Sequence, residues 1–364
     1  MKTATSLTLL PSLYDLTRAQ LEAQLATWGE PAYRARQIWH WLYQRLVTDF
    51  DAMTDLPRGL RARLKEHFVL GRLIPVAEQR STDGWTRKWL FQLPDGSQIE
   101  TVLMEYDGER RTVCISSQAG CAMACSFCAT GQMGFVRNLR SGEIVEQVLW
   151  AARALGDERL SNVVYMGMGE PFANYAPVME SIQRLTTPTQ EGGFGIGARK
   201  ITVSTVGLIP GIRRFAEEGG QVNLAISLHA ATDELRTRLV PINARYPLRE
   251  LVRAAREYIE KTNRRLSYEW ALIDHVNDTP EQAQALVELV RQTNPRPGVN
   301  LVHVNLIPLN PTAGYAGRAS SAARRQAFVQ VLRRAGIPCT LRVRRGIDIA
   351  AGCGQLKAQH KQNG

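Results

Sequence analysis

The chain has 364 residues, 44% of them hydrophobic and 22% charged, which excludes collagen-like, low-complexity and disordered classes and leaves room for one large domain with an appendage, or for two domains. No apolar run approaches the ~20 residues of a membrane span, and the opening "MKTATSLTLLPSLYDLTRAQ" soon carries Asp15 and Arg18 without an A-x-A cleavage site, so a cytoplasmic protein with no membrane partner is expected. The formal net charge is +11 and uneven, with ten Lys or Arg against the single acid Asp348 in residues 318–364, which fits either a polyanionic partner such as nucleic acid or a solvated basic surface.

Residues 13–72 read as helical. "LTRAQLEAQLATWG" and "AYRARQIWHWLYQRLV" space apolar residues three and four apart, punctuated by Gly29 and Pro31. The aromatic set Trp28, Trp39, Trp41 and Tyr43 fits a small helical core better than an RNA-stacking surface, because its spacing is that of a buried helix face. Residues 1–73 are therefore expected to form an N-terminal helical domain. In residues 74–109 two alternating runs of "TRKWLFQLPDGSQIETVLME" flank Pro94, Asp95 and Gly96, the signature of a connecting β-hairpin. Glu100 lies on its second strand, where a solvated glutamate is the ordinary expectation.

Residues 110–364 alternate short strands ("RTVCIS", "NVVYMG", "KITVST", "VNLAIS", "LSYEWAL", "LVHVNLI", "CTLRVR") with amphipathic segments such as 141–155, 175–185, 248–262, 280–293 and 320–335. That alternation predicts a parallel sheet and a partial or complete β/α barrel, whose chemistry collects at the C-terminal strand ends. After the first strand, "GCAMACSFCATG" places Cys121, Cys125 and Cys128 at spacings of four and three. Cytoplasmic cysteines are rarely structural disulfides. A structural zinc site wants four closed ligands, and an all-thiolate iron–sulfur cluster wants a fourth cysteine; three thiolates on four irons leave one iron open to bind something else. Other strand ends offer Gly167, Gly169 and Glu170 in "YMGMGEP", Ser204 in "ITVSTVG", Ser227 and His229 in "LAISLHA", and Asn310 in "LIPLNPT". The glycines would let backbone approach a ligand. Each of these residues alone is more often structural than functional.

The C-x-x-x-C-x-x-C loop after the first barrel strand resembles the radical S-adenosylmethionine (SAM) superfamily, in which the open iron chelates SAM and reductive cleavage gives a 5′-deoxyadenosyl radical. Within it, "CISSQAGCAMACSFCATGQMGFVRNL", "VVYMGMGEPFANY", "ITVSTVGLIPGI", "AISLHAATDELR" and "RRGIDIAAGCGQL", together with the N-terminal "YDLTRAQLEAQLATWGEPAYRARQIWHWLY", closely resemble the RlmN family. The resemblance spans residues 13–356 and implies an α/β fold: a radical SAM partial (β/α) barrel with an N-terminal helical accessory domain and a connecting hairpin. It implies methylation of carbon 2 of an adenine in 23S ribosomal RNA, and of an adenine beside the tRNA anticodon. By motif it gives Cys121, Cys125 and Cys128 to a [4Fe-4S] cluster, and Gly169, Glu170, Ser204, Ser227, Leu228, His229 and Asn310 to SAM. It makes Cys353 the methyl carrier, Cys114 its partner and Glu100 a proton acceptor. Cys339 matches no family role and reads as a buried strand thiol.

The chemistry accounts for the two further cysteines. Adenine C2 is electron-poor and a poor nucleophile toward a sulfonium. On the resemblance, Cys353 takes a methyl from one SAM and a second SAM supplies the radical, two per turnover; the S-methylene radical adds to C2, and Cys114 releases the product while forming a transient disulfide with Cys353. The glycines beside Cys353 read as a mobile loop suited to a methyl shuttle. A monomer working with a flavodoxin-type electron donor is expected. The competing readings are a Cfr-like enzyme acting on adenine C8 and a non-catalytic metal-binding RNA module.

Overall fold

Thr17 opens the first helix with a capping box: its hydroxyl accepts from Gln20 N (3.2 Å), and the Gln20 side chain accepts from Thr17 N (2.8 Å). The computed structural model in which this is seen describes residues 10–106, 110–296, 298 and 300–357; the start of the N-terminal stretch and Lys361 lie outside them. Helices α1 (Arg18–Thr27), α2 (Tyr33–Tyr43) and α3 (Arg58–His67) bury Leu21, Leu25, Ile38, Trp39, Leu42, Tyr43, Leu60 and Leu64. Trp39 and Tyr43 pack at a tilt with ring centroids 4.8 Å apart, and Trp28 packs on His67 and Phe68. Trp39 and Tyr43 are core, as the helical spacing predicts, while Trp28 and Trp41 are half-buried against it.

The hairpin strands continue the main sheet. Strands β1 (Ile74–Arg80), β2 (Thr86–Gln92), β3 (Gln98–Tyr106) and β4 (Arg110–Cys114) pair antiparallel in turn, with Trp89 opposite Thr101 and Val102 opposite Cys114. The loop after β4 carries β5 (Gln118–Gly120), a short helix α4 (Ala129–Gln132) and β6 (Phe135–Asn138), and β5 and β6 form a separate two-stranded sheet. The alternating units follow: α5 (Ser141–Ala154), β7 (Asn162–Tyr165), α6 (Tyr175–Thr186), β8 (Ile201–Thr205), α7 (Ile209–Glu218), β9 (Asn223–Ser227), α8 (Asp233–Leu239), α9 (Leu248–Thr262), β10 (Leu266–Leu272), α10 (Pro280–Thr293), β11 (Val302–Pro308), α11 (Ala322–Arg334) and β12 (Cys339–Leu341). The main sheet is 10-stranded, in the order β1-β2-β3-β4-β7-β8-β9-β10-β11-β12. β4 and β7 through β12 are parallel, so the barrel is open, with an antiparallel extension on one side.

Parallel strands covered by helices are buried on both faces, which is why "NLAIS" and "ITVST" are buried along most of their length, with no alternation of exposed positions. Helix α9 buries Leu251, Ala254, Ala255 and Tyr258 on one stripe. Two buried charged side chains join the N-terminal helices to the barrel. Arg184 of α6 donates to the carbonyls of Tyr14 and Asp15, and Glu146 of α5 accepts from the N–H groups of Arg72 and Leu73 at 2.8–3.1 Å. Among the described residues no helix is long and apolar enough to cross a membrane.

Candidate active site

Two cavities formed by the described residues lie inside the barrel, the first at the C-terminal ends of the parallel strands and the second reaching from the strand starts up to those ends. The first, of about 150 Å³, is lined by Cys121, Cys125 and Cys128 and by the C-terminal strand-end residues Gly169, Glu170, Ser204, Ser227, His229 and Asn310. The second, of about 750 Å³, is lined by residues at strand starts (Asn162, Thr202, Asn223, Ser267, His303), by Cys114, and by Arg110, Arg199, Arg265, Arg342, Arg344 and Arg345. Met166, Glu269, Ile307, Pro308, Asn310, Cys353 and Leu356 belong to both linings and form the wall between them.

The cysteine loop is folded tightly. Cys121 N donates to Gly134 O (2.8 Å), Cys128 N to Cys125 O (3.2 Å) and Ala129 N to Gly354 O (2.7 Å), while Ala124 takes a left-handed φ of 52°. Cys121 and Cys125 are buried and Cys128 is half-buried; all are free thiols. Burial pushes the Cys121 thiol up to about 12 and raises the Cys125 thiol well above its ordinary value. Thiols so placed ionise only for a strong cationic partner such as bound iron. Among the described residues no three His, Cys, Asp or Glu side chains converge on a point for a single metal ion. A four-iron cluster takes each thiolate on a different iron, so three cysteines on one wall match its donor set.

The opposite walls are polar and tightly held. Burial raises the Glu170 carboxyl to about 7 even though it accepts from Phe172 N (2.9 Å) and Val206 N (2.8 Å). His229, in a strained turn with φ 60°, accepts from Ala271 N through Nδ1 (3.0 Å), which puts the ring proton on Nε2. Burial lowers its pKa to about 3, so the ring is neutral, and it packs edge-on against Phe127. Ser204 Oγ and Ser227 Oγ lie 3.4 Å apart. Asn310 Oδ1 and Glu269 Oε2 are buried acceptors without a hydrogen-bond partner, which suits a ligand carrying ammonium, amino and hydroxyl donors.

Several expectations need correction. A Cβ at Gly167 would come 2.6 Å from Ile115 O, and one at Gly169 would come 2.5 Å from the Gln118 Cβ; close packing of the β4 and β7 ends demands these glycines, whatever a ligand asks. Leu228 lines neither cavity: its side chain is core, and its carbonyl accepts from Arg236 Nε at 3.0 Å. Glu100 is not a solvated strand residue. It is 4% exposed, lines neither cavity, pairs with Lys88 Nζ (2.9 Å) and accepts from Lys357 N (2.8 Å). Cys339 is half-buried at the start of edge strand β12 beside Arg333, not enclosed. The Cys353 loop is tied down: Asn310 Nδ2 donates to Cys353 O (3.0 Å), Gln355 Nε2 to Pro311 O (2.9 Å) and Thr130 Oγ1 to Leu356 O (2.6 Å). A Cβ at Gly352 would meet Asn310 Nδ2 at 2.6 Å.

The Radical SAM superfamily pattern matches residues 115–290, and that of the "Ribosomal RNA large subunit methyltransferase N-terminal domain" matches residues 12–70. A probable dual-specificity RNA methyltransferase RlmN of Chloroflexus aurantiacus is 52% identical over 96% of this chain and 93% of its own length. The dual-specificity RNA methyltransferase RlmN 1 of Myxococcus xanthus is 51% identical over 95% of this chain and 94% of its own. The crystal structure of a radical SAM methyltransferase from Sphaerobacter thermophilus superimposes with a TM-score of 0.91 at 52% identity, covering 96% of this chain and all of that one.

The chain belongs to the RlmN family. It is a SAM-dependent radical SAM methyltransferase, and the superfamily implies a [4Fe-4S] cluster and SAM in the first cavity, whose donors fit both. Family motifs and strand ends do not point to three further residues at or behind the walls. Glu269 is buried in β10 and bonded to Asn305 Nδ2 (2.7 Å); its signal is the lone acid in the apolar run "LSYEWAL". Arg342 is electrostatically linked to Glu269, Cys353 and Cys114 and hides among the arginines of "LRVRR". Burial raises the pKa of the Cys114 thiol, the protein atoms crowded around the solvent-exposed Cys353 raise that thiol too, and Arg342 opposes both shifts. Arg236, inside "DELR", carries no local signal.

Proposed function

We propose that this RNA methyltransferase methylates carbon 2 of adenine in 23S rRNA and in tRNA beside the anticodon. One observation carries the reading: Cys353 stands in the wall between a cavity lined by three cysteines and a cavity lined by arginines and Cys114. A residue there faces a methyl donor on one side and a polyanion on the other. The arginines offer phosphate contacts.

Cys121, Cys125 and Cys128 hold the cluster, and Glu170, Ser204, Ser227, His229 and Asn310 hold SAM. When bound, these groups supply a methyl group and the 5′-deoxyadenosyl radical. The chain supplies the rest. Asn310 fixes the Cys353 carbonyl, and Arg342 favours the Cys353 thiolate as methyl acceptor. The Cys353 methyl group gives up one hydrogen atom to the 5′-deoxyadenosyl radical, the resulting methylene carbon bonds to adenine C2, and the adduct loses the C2 proton and one electron, which the oxidised cluster would accept. Cys114 sulfur then attacks Cys353 sulfur; the S–C bond breaks, its electron pair stays on the methylene carbon and takes a proton, and a Cys114–Cys353 disulfide remains for an external reductant. A base role for Glu100 requires its Lys88 pair to open. Residues 1–73 contact RNA as an accessory domain, 74–109 link it to the core of residues 110–364, and a monomer acts in the cytoplasm with a flavodoxin-type donor and two SAM per turnover. The test is anaerobic reconstitution with iron and sulfide, addition of SAM and reductant, and mass spectrometry of digested 23S rRNA and tRNA. 2-Methyladenine is expected; a methyl group at C8, or a colourless protein that leaves SAM intact, overturns the reading.

A further inference from the structure

Arg236 sits on α8 with a relative exposure of 0%. Its guanidinium donates through Nε to Leu228 O (3.0 Å), through Nη1 to Asn243 Oδ1 (2.9 Å), and through Nη2 to Val206 O (2.6 Å) and Ser227 O (3.2 Å). All four acceptors are neutral. Of the two acids on the same helix, Asp233 and Glu234, Asp233 accepts through Oδ1 from Asn243 Nδ2 (2.9 Å) and Leu248 N (2.8 Å) instead. Among the described residues Arg236 makes no ion pair with a carboxylate. A buried guanidinium satisfied only by carbonyls still lacks a counter-charge, which is costly in a low-dielectric interior.

The helix that carries it is docked on the cysteine loop. Leu235 and Leu239 of α8 pack in one apolar cluster with Cys125 and Phe127, and Ser126 N donates to Leu239 O at 3.0 Å. Cys125 and Arg236 are electrostatically coupled, each favouring the charged form of the other. The carbonyls that Arg236 grips close β8 and β9, beside Ser204 and Ser227.

We propose that Arg236 is the buried counter-cation of the iron–sulfur cluster, raising its reduction potential while holding the ends of β8 and β9 in place for SAM. Three thiolates would bring negative charge to a loop that packs against the helix carrying this guanidinium, and Asp233, the acid electrostatically linked to Arg236, makes no direct ion pair with it. Net charge and hydrogen bonding around a cluster are the levers by which a protein sets its potential. A positive charge fixed nearby favours the reduced cluster, which must form before SAM is cleaved. Arg236 is thus a positioning residue; the inference rests on the cluster assignment, which iron content and absorbance of the wild-type protein test separately.

The experiment compares full-length wild type, Arg236→Gln and Arg236→Lys, each reconstituted with iron and sulfide. The cluster midpoint potential is followed by electron paramagnetic resonance, alongside thermal unfolding of the iron-free proteins. Arg236→Gln should lower the equilibrium constant for one-electron reduction at least tenfold, a shift of about 59 mV to more negative potential. Arg236→Lys should restore most of it. A folded Arg236→Gln that takes up no iron, beside an Arg236→Lys that does, also supports the proposal. It is overturned if Arg236→Gln carries a cluster at the wild-type potential, if Gln and Lys shift the potential alike, or if neither variant folds, which would make Arg236 a brace alone.

Discussion

The two cavities of one barrel solve opposite electrostatic problems. The cysteine-lined cavity is small, Cys121 and Cys125 are buried, His229 is neutral, and Glu170 and His229 are held by backbone N–H groups. It is built to bury a ligand and keep it. The other cavity is larger and carries arginines at the starts of strands and on the segment after β12. It suits a polyanion whose charges stay partly solvated and whose binding must be reversible. The lesson is that side chains alternating along the same strands can face a dry site at one end and a wet one at the other.

The largest effects separate the cavities outright. Cys125→Ala should strip the iron–sulfur absorbance and abolish 5′-deoxyadenosine formation while leaving RNA affinity within a factor of two or so. A variant that still cleaves SAM reductively at the wild-type rate would break the division of labour. On the wall, Cys353→Ala should neither acquire a methyl group nor bond to RNA. Cys114→Ala should instead accumulate a protein–RNA adduct through Cys353, seen on a denaturing gel as a nuclease-sensitive, reductant-resistant band. Free turnover by Cys114→Ala would sink the methyl-cysteine route.

Smaller effects sharpen the contrast. Glu170 is raised to about 7 by burial, above the ordinary carboxylate value. Cationic SAM favours its ionised form, so SAM affinity should rise as pH increases through 7 and level off above. Glu170→Gln should weaken SAM binding by roughly tenfold, on the scale of a hydrogen bond to a charged group, and flatten that profile. Calorimetric titration of the reconstituted protein from pH 6 to 8 checks this, and a flat wild-type profile would contradict it. Least of all, Arg344→Ala and Arg345→Ala should each lower the slope of log K for RNA against log salt by about one, with SAM binding untouched.

The parallel core and the first cavity were legible because their signals are local. Three cysteines within eight residues need no tertiary information, and strand ends can be placed from alternation alone. What was not legible depends on register and on contacts between distant segments. Glu100 reads as a solvated hairpin residue, but Leu90 lies opposite it and Lys88 opposite Val102, which brings Lys88 Nζ onto its carboxylate, while Lys357 N arrives from 257 residues away. The Cys353 loop reads as loose because glycines flank the cysteine, yet Asn310, Gln355 and Thr130 pin it from the loop after β11, from within and from α4. Arg236 is opaque for a related reason: its partners are carbonyls, which no side-chain pattern encodes.

The placement of Cys353 in a wall, not at the bottom of a single pocket, has a kinetic consequence. A transferase with one doorway must admit its ligands in a fixed order, and the second to enter traps the first. On the proposed reading, the methyl donor and the nucleic acid approach one sulfur atom from two different cavities. The demethylated donor can therefore be exchanged while the polynucleotide stays engaged, and inhibition by that spent donor should leave the apparent affinity for the polynucleotide unchanged.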